Sequence, residues 1–348
     1  VKRRDPDAPM KIATLSNASV VHTRRWVEHL RARGHDVRLF SLESGPAELA
    51  AHALPVAPLP GFMRYPLATP ALAGPLRRFA PDLIDAHFVP NYGLIGALSG
   101  FRPLSVAAWG SDLLLTGRRN ALQRARARWV LRRASLVIAD AANLARAAVE
   151  LGAPPECVRE IPWGVDRERF RPGERQSGLL LSTRMHEPVY DMPVLLAGVA
   201  RVMQRRPGTF LAIAGDGSLT PALEAQAARL LPRGRYEFLG RLAPGTLAGW
   251  LGRAEVYLSA SRSDSTSLSL LEAMAAGAIP VVTDIEGNRE WVGEGDGARL
   301  FAVGDAAALE RSLDSALADA AWAAAARARN AAVIAERGDW HRNFARTQ

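Results

Sequence analysis

Cysteine and lysine are nearly missing from this chain. Cys157 is the single cysteine in 348 residues, so no intrachain disulfide can form and a reducing cytoplasm is the expected setting. No uninterrupted run of about 18 apolar residues occurs, which argues against a membrane span. The opening "VKRRDPDAPM" lacks the apolar core of a signal peptide. It reads as a disordered lead-in over 1–9, or as an over-long start with the fold beginning at Met10. No cluster of His, Asp and Glu has metal-ligand spacing, and no Asp-x-Asp pair ends a cleft-facing strand, so neither metal nor cofactor is expected.

The net charge of +9 and pI near 10.6 raise the question of a nucleic-acid partner. Of the 44 basic residues only Lys2 and Lys11 are lysines, and the arginines are spread along the whole chain. No basic run is interleaved with aromatics as a base-stacking surface would need, so no nucleic acid is expected. An acidic membrane surface or a phosphorylated substrate accounts better for the charge. With 48% hydrophobic and 23% charged residues the composition is that of a globular protein, and the length suits two domains.

"KIATLS", a helical pattern from Val20 to Arg33 closed by Gly34, and "DVRLFSL" form a strand–helix–strand unit of parallel type. "DLIDAH", "LSVAAW" and "SLVIAD" continue the alternation. Six prolines between Leu54 and Pro75 predict that no long helix forms there; the segment reads either as a loop over the site or as surface filler. Turn residues and charges break the pattern around Arg159 to Gly178. It then restarts with "LLLSTR", "TFLAIAGDG", "YEFLG", "EVYLSAS" and "IPVVTD". The expected organisation is a lead-in (1–9), an N-terminal Rossmann-like domain (10–162), a linker (163–177), a C-terminal Rossmann-like domain (178–330), and a C-terminal helix (331–348) that could cross back to the first domain. Two such doubly wound α/β domains facing each other would put the carboxyl ends of both sheets on one cleft.

Four stretches in the second half carry a resemblance: "GVDRERFRPG", "LAIAGDGSLTPALEA", "YEFLGRLAPGTLAGWLGRAEVYLSAS", and "DSTSLSLLE" followed by "AMAAGAIPVVTD". In this order and spacing the chain is similar to the family-4 glycosyltransferases of GT-B fold, the retaining nucleotide-sugar enzymes. "DAHFVPNYG" and "AWGSDL" extend the resemblance to the first half.

The resemblance implies roles for particular residues. Asp264 and Glu272, eight positions apart, take the place of the family's paired glutamates. Asp264 would touch the donor sugar, and Glu272 would accept hydrogen bonds from the ribose. The shorter acid leaves the sugar open. Thr266, Ser267 and Leu268 start a helix whose free N–H groups and dipole suit a diphosphate. Arg184 matches the family's cation for the leaving group, while Tyr190 stands near the place of its lysine. Gly215, Gly240 and Arg241 would border the nucleotide, although Gly215 in "GDG" equally suits a plain turn.

In the first domain Ser16, Asn17 and Ser19 can offer donors toward phosphate or acceptor. His22 and His87 are read as cleft residues, with a packing role as the alternative for each. "WGSD" begins with Trp109 where the family has histidine; Asp112 would orient acceptor hydroxyls or cap a helix. The basic stretch from Arg118 to Ala134 reads as a core-packed helix with solvated arginines, or as a docking element for anionic lipid.

The resemblance thus implies transfer of a sugar, with retention, from a nucleotide diphosphate sugar (UDP-sugar favoured) to a hydroxyl of a glycan, lipid-linked or small-molecule acceptor. It implies no metal, and a location in the cytoplasm or at the inner face of the membrane. A nucleotide-sugar epimerase of the same fold and a degenerate, non-catalytic nucleotide-sugar-binding protein are the alternatives.

Overall fold

The computed structural model describes residues 8–56 and 61–346, and the chain divides into two compact units after Ile161. The lead-in expected over 1–9 falls mostly on residues outside this range. In the first unit the strands are β1 (Lys11–Leu15), β2 (Asp36–Ser41), β3 (His52–Ala53), β4 (Leu83–His87), β5 (Leu104–Ala107), β6 (Leu136–Ala139) and β7 (Val158–Glu160). Its helices are α1 (Val21–Ala32), α2 (Gly61–Phe79), α3 (Gly93–Leu98), α4 (Ser111–Leu114), α5 (Ala121–Leu131) and α6 (Ala142–Glu150). All strand pairs are parallel, in the order β3-β2-β1-β4-β5-β6-β7. β1 runs between β2 and β4, so the order reverses there. Open α/β sheets bind ligands at the carboxyl ends of the strands at such a switch point.

The proline-rich segment corrects the sequence-based expectation. α2 is a 19-residue helix that holds Pro66, Pro70 and Pro75 inside it. An interior proline costs about 3 kcal/mol through a lost hydrogen bond and a ring clash. Against that, Ala68, Leu72, Leu76 and Phe79 form one buried stripe at helical spacing on the core of the unit, and each buried large apolar side chain contributes about 1.5–3 kcal/mol. The prolines sit off that stripe: Pro70 is exposed, and Pro66 and Pro75 are half-buried.

The second unit repeats the plan with β8 (Gln176–Ser182), β9 (Phe210–Ala214), β10 (Tyr236–Gly240), β11 (Ala254–Ser259), β12 (Ile279–Thr283) and β13 (Arg299–Phe301). The helices are α7 (Met192–Arg205), α8 (Thr220–Leu230), α9 (Pro244–Arg253), α10 (Leu268–Ala275), α11 (Glu286–Val292), α12 (Ala306–Ala318), α13 (Ala320–Arg337) and α14 (Trp340–Ala345). The parallel order β10-β9-β8-β11-β12-β13 puts the switch point between β8 and β11. The inner strands are buried on both faces, as near-continuous apolar runs such as "LLLS" and "FLAIA" require. α14 packs Trp340 and Phe344 on Trp163, and the Val165 N–H reaches the Gly338 carbonyl at 2.7 Å. All five of these residues belong to the second unit.

Candidate functional site

In the second unit the loops leaving β8 and β11 meet at the switch point. Ser267 caps α10: its hydroxyl accepts from Leu270 N–H and also from Arg184 Nη1 at 2.6 Å. Arg184 Nη2 reaches Asp264 Oδ2, also at 2.6 Å. The guanidinium lies over the Tyr190 ring, 4.2 Å from its centre. Arg184 is only 6% exposed, yet it stays charged. Burial works against the cation, but Asp264, with Tyr257 and Tyr190 beside it, more than offsets this, and its pKa lies above the ordinary arginine value. Its Nε–H is buried and has no partner among the described residues.

Thr266, Ser267 and Leu268 thus occupy the entry of α10, with Ser267 as the N-cap. Glu272 lies one turn beyond Leu268 on the half-exposed stripe of the helix, whereas Leu270, Leu271, Ala273 and Met274 are buried. A helix N-terminus beside a buried cation, with a carboxylate further along, is a place that can hold a multiply charged anion carrying hydroxyls.

Both arms of this arrangement lean on glycines. A Cβ on Gly215 would stand 2.5 Å from the Arg184 carbonyl oxygen, and Gly215 has φ +113°. The glycine therefore lets the backbone of Arg184 pack directly on the end of β9. A Cβ on Gly287, in α11, would stand 2.2 Å from the Ser265 oxygen and 2.6 Å from that of Asp264. The "EGNRE" segment thereby seats the Asp264 loop. Gly240 accepts from Gly215 N–H at 2.8 Å, and Arg241 Nε pairs with Asp216 at 2.6 Å on the exposed side of the same turn.

The first unit's switch point is built from different material. Ser16 is fully buried, its hydroxyl 2.8 Å from that of Thr23, so it faces the interior. Asn17 Oδ1 accepts from both the N–H and the hydroxyl of Ser19, which forms a local turn. His22, in the first turn of α1, packs edge-on to Trp109 with ring centres 5.7 Å apart. Burial, with Arg25 and His87 nearby, lowers its pKa to about 4. His87 ends β4 fully buried, with Nε2 3.1 Å from Asp85 Oδ2. That oxygen also accepts Trp26 Nε1–H at 2.7 Å. His87 Nδ1 is buried without a partner among the described residues. The next residue, Phe88, has φ +67°, a strained conformation of the sort that clusters at functional sites.

Asp112, expected either to orient acceptor hydroxyls or to cap a helix, is fully buried, and its carboxylate accepts the N–H groups of Val89, Trp109 and Leu113 at 2.9, 3.0 and 3.1 Å. It ties the strained turn after β4 to the turn after β5 from inside α4, whose N-cap position is Gly110. Burial raises its pKa to about 6, although the three backbone donors pull the other way.

Sequence reasoning passed over Asp85, Trp26 and Gly287. Strand alternation puts Asp85 on the same face as His87 and could have flagged it. Nothing local marks Trp26 or Gly287, whose partners are 59 and 22 residues away. Among the described residues no group of three or more His, Cys, Asp and Glu could hold a metal, and no helix is long and apolar enough to cross a membrane.

Two family matches divide the chain. Residues 11–141 match the family described as glycosyl transferase 4-like, and residues 176–319 match glycosyl transferases group 1. A phosphatidyl-myo-inositol mannosyltransferase of Mycolicibacterium smegmatis is 34% identical over 169 residues, covering 46% of this chain and 43% of the relative. The match therefore spans less than half of that protein's length. In structure the chain is similar to Anabaena HepE in complex with UDP and glucose, with TM-score 0.82, 20% identity, and 97% and 98% of the two chains covered. It is also similar to sucrose-phosphate synthase from Thermosynechococcus elongatus, with TM-score 0.83, 19% identity, and 97% of each chain covered. At these identities the likeness is one of fold.

Proposed function

Because the chain belongs to the group 1 glycosyl transferases, we propose that it moves a sugar from a nucleotide diphosphate sugar to an acceptor hydroxyl in glycan or glycolipid synthesis. The observation that carries this reading is the buried Arg184 held against the capped start of α10 at the β8/β11 switch point. The diphosphate would lie against the α10 entry and the remaining Arg184 donors. Glu272 would take the ribose, and Asp264 would steer Arg184 and border the sugar.

As the glycosidic bond breaks, negative charge grows on the leaving phosphate. A donor already in place costs no reorganisation at that moment, and losing one such donor in comparable enzymes costs about 2.7–4 kcal/mol. In keeping with the resemblance to the retaining family, the reading is front-side displacement with retention, the leaving phosphate taking the acceptor proton, while Asp264, tied to Arg184, holds the cation rather than attacking the sugar. We favour UDP as the nucleotide, in keeping with the ligand of the HepE complex. The reading requires neither metal nor cofactor.

The first unit would receive the acceptor at the β1/β4 end, against Trp109, His22 and the Asn17–Ser19 turn. α5 supports an acceptor held at an anionic surface, with the protein peripheral to the inner face of the membrane. Arg118, Asn120, Ala121, Arg124, Ala125 and Arg128 line a cavity of about 430 Å³, and Leu122 beside it is 59% exposed. Equal flotation with neutral and anionic vesicles would remove that element while leaving the transfer reading intact.

The test is a panel of UDP-, GDP- and ADP-sugars incubated with the protein and an acceptor extract, with products separated by mass. A glycosylated acceptor is expected. Donor turned over without acceptor would indicate an epimerase, and binding without turnover a non-catalytic protein.

A further inference from the structure

We propose that Tyr190 is a positioning residue that fixes the plane of the Arg184 guanidinium. The inference rests on the reading of Arg184 as the cation for the diphosphate. A guanidinium is flat, and its donors lie in its own plane. The bonds to Asp264 and Ser267, both 2.6 Å, hold two of its edges but leave it free to tilt about the line between them. A contact on the face opposes that tilt, and the Tyr190 ring, 4.2 Å from the guanidinium carbon, supplies it, with the buried Tyr257 beside the cation as well.

The ring is itself held. It ends the short turn Pro188–Tyr190, and Asp191 follows with φ +45°. Asp191 pairs with Arg262 at 2.7 Å, and Arg262 N–H donates to the Val189 carbonyl at 2.8 Å. Arg262 lies two residues before Asp264, so the support under the guanidinium and the acid at its edge are joined through one loop. The unpartnered Nε–H is then aimed in a fixed direction. Where the family resemblance implies a second cation, this chain carries a ring that immobilises the first one.

Two measurements on the full chain test this. In arginine-labelled protein, the Arg184 Nε–H resonance, assigned by its loss in Arg184→Lys, should be shifted upfield by the ring. Tyr190→Phe should keep that shift and Tyr190→Leu should abolish it, with Tyr190→Met substituted should the leucine variant melt early. In steady-state kinetics with the active donor, Tyr190→Leu should lose about tenfold in kcat, equal to about 1.4 kcal/mol. Its donor KM should change less than about threefold, and Tyr190→Phe should restore kcat to within about threefold of wild type. An Arg184 resonance unmoved in Tyr190→Leu, or phenylalanine and leucine variants equally impaired, overturns the inference. Failure of the functional reading looks different: the ring shift is present in wild type, yet no nucleotide sugar is turned over.

Discussion

At the β8/β11 end of the second unit a buried cation is held by an acid, a hydroxyl and an aromatic face, and it keeps a donor to spare. At the β1/β4 end of the first unit Asp112 is occupied by three backbone N–H groups and Asp85 Oδ2 by Trp26 and His87, while Asp85 Oδ1 and His87 Nδ1 are buried without a partner among the described residues. What remains at the surface there is a half-buried Trp109 and a His22 whose lowered pKa keeps it neutral at pH 7. The same doubly wound architecture thus carries a buried cation held by side chains at one end and a buried acid held by backbone N–H groups at the other.

The strongest way to break the comparison is to remove the cation. Arg184→Gln is expected to lower transfer about 10²–10³-fold in initial rates, with the protein still folded by circular dichroism; a loss under about tenfold would contradict its assigned role. Next come two close glycine contacts, one in each unit. Gly287→Ala and Gly45→Ala each force a Cβ onto a carbonyl oxygen, 2.2 Å from that of Ser265 and 2.5 Å from that of Ala18. Each should cost about 1–3 kcal/mol of stability. Titration of UDP should separate them: binding weakens in Gly287→Ala and is unchanged in Gly45→Ala.

Smaller again is the pH dependence of Asp112. Its folded-state pKa of about 6 lies above the ordinary carboxylate value, so the folded state binds the extra proton between about pH 4 and 6. Its contribution to stability is complete below about pH 4 and is lost as pH rises through 6. His22, lowered to about 4, acts in the opposite direction over the same window. His35 and His186, whose pKa values burial also lowers, act with His22, so the wild-type stability curve should climb less steeply from pH 4 to 6 than that of Asp112→Asn. Urea melts at several pH values check this; parallel curves would contradict it. The smallest effect is expected from Trp109→Ala, which should raise the acceptor KM about three- to tenfold and leave UDP affinity unchanged.

Much of this was legible in the chain. The apolar runs ending in small polar residues gave the strands, and "DSTSLSLLE" placed the α10 entry and Glu272 correctly on one helix. The α2 helix was not legible, because the proline rule is local while the stripe of Ala68, Leu72 and Leu76 gains its energy from tertiary packing. Arg184 and Asp264 were each singled out, but a pairing across 80 residues leaves no mark in spacing. The three backbone bonds of Asp112 were not legible, because a position in the first turn of a helix says nothing about which way a carboxylate turns. Tyr190 read only as a lysine that was not there; its ring has meaning only once Arg184 lies on it.

The most direct test of the account is a crystal structure with an intact nucleotide sugar bound. The diphosphate is expected within hydrogen-bond distance of Arg184 and of the first N–H groups of α10, with Glu272 on the ribose. A donor seated elsewhere, with Arg184 still engaged only by Asp264 and Ser267, would contradict it.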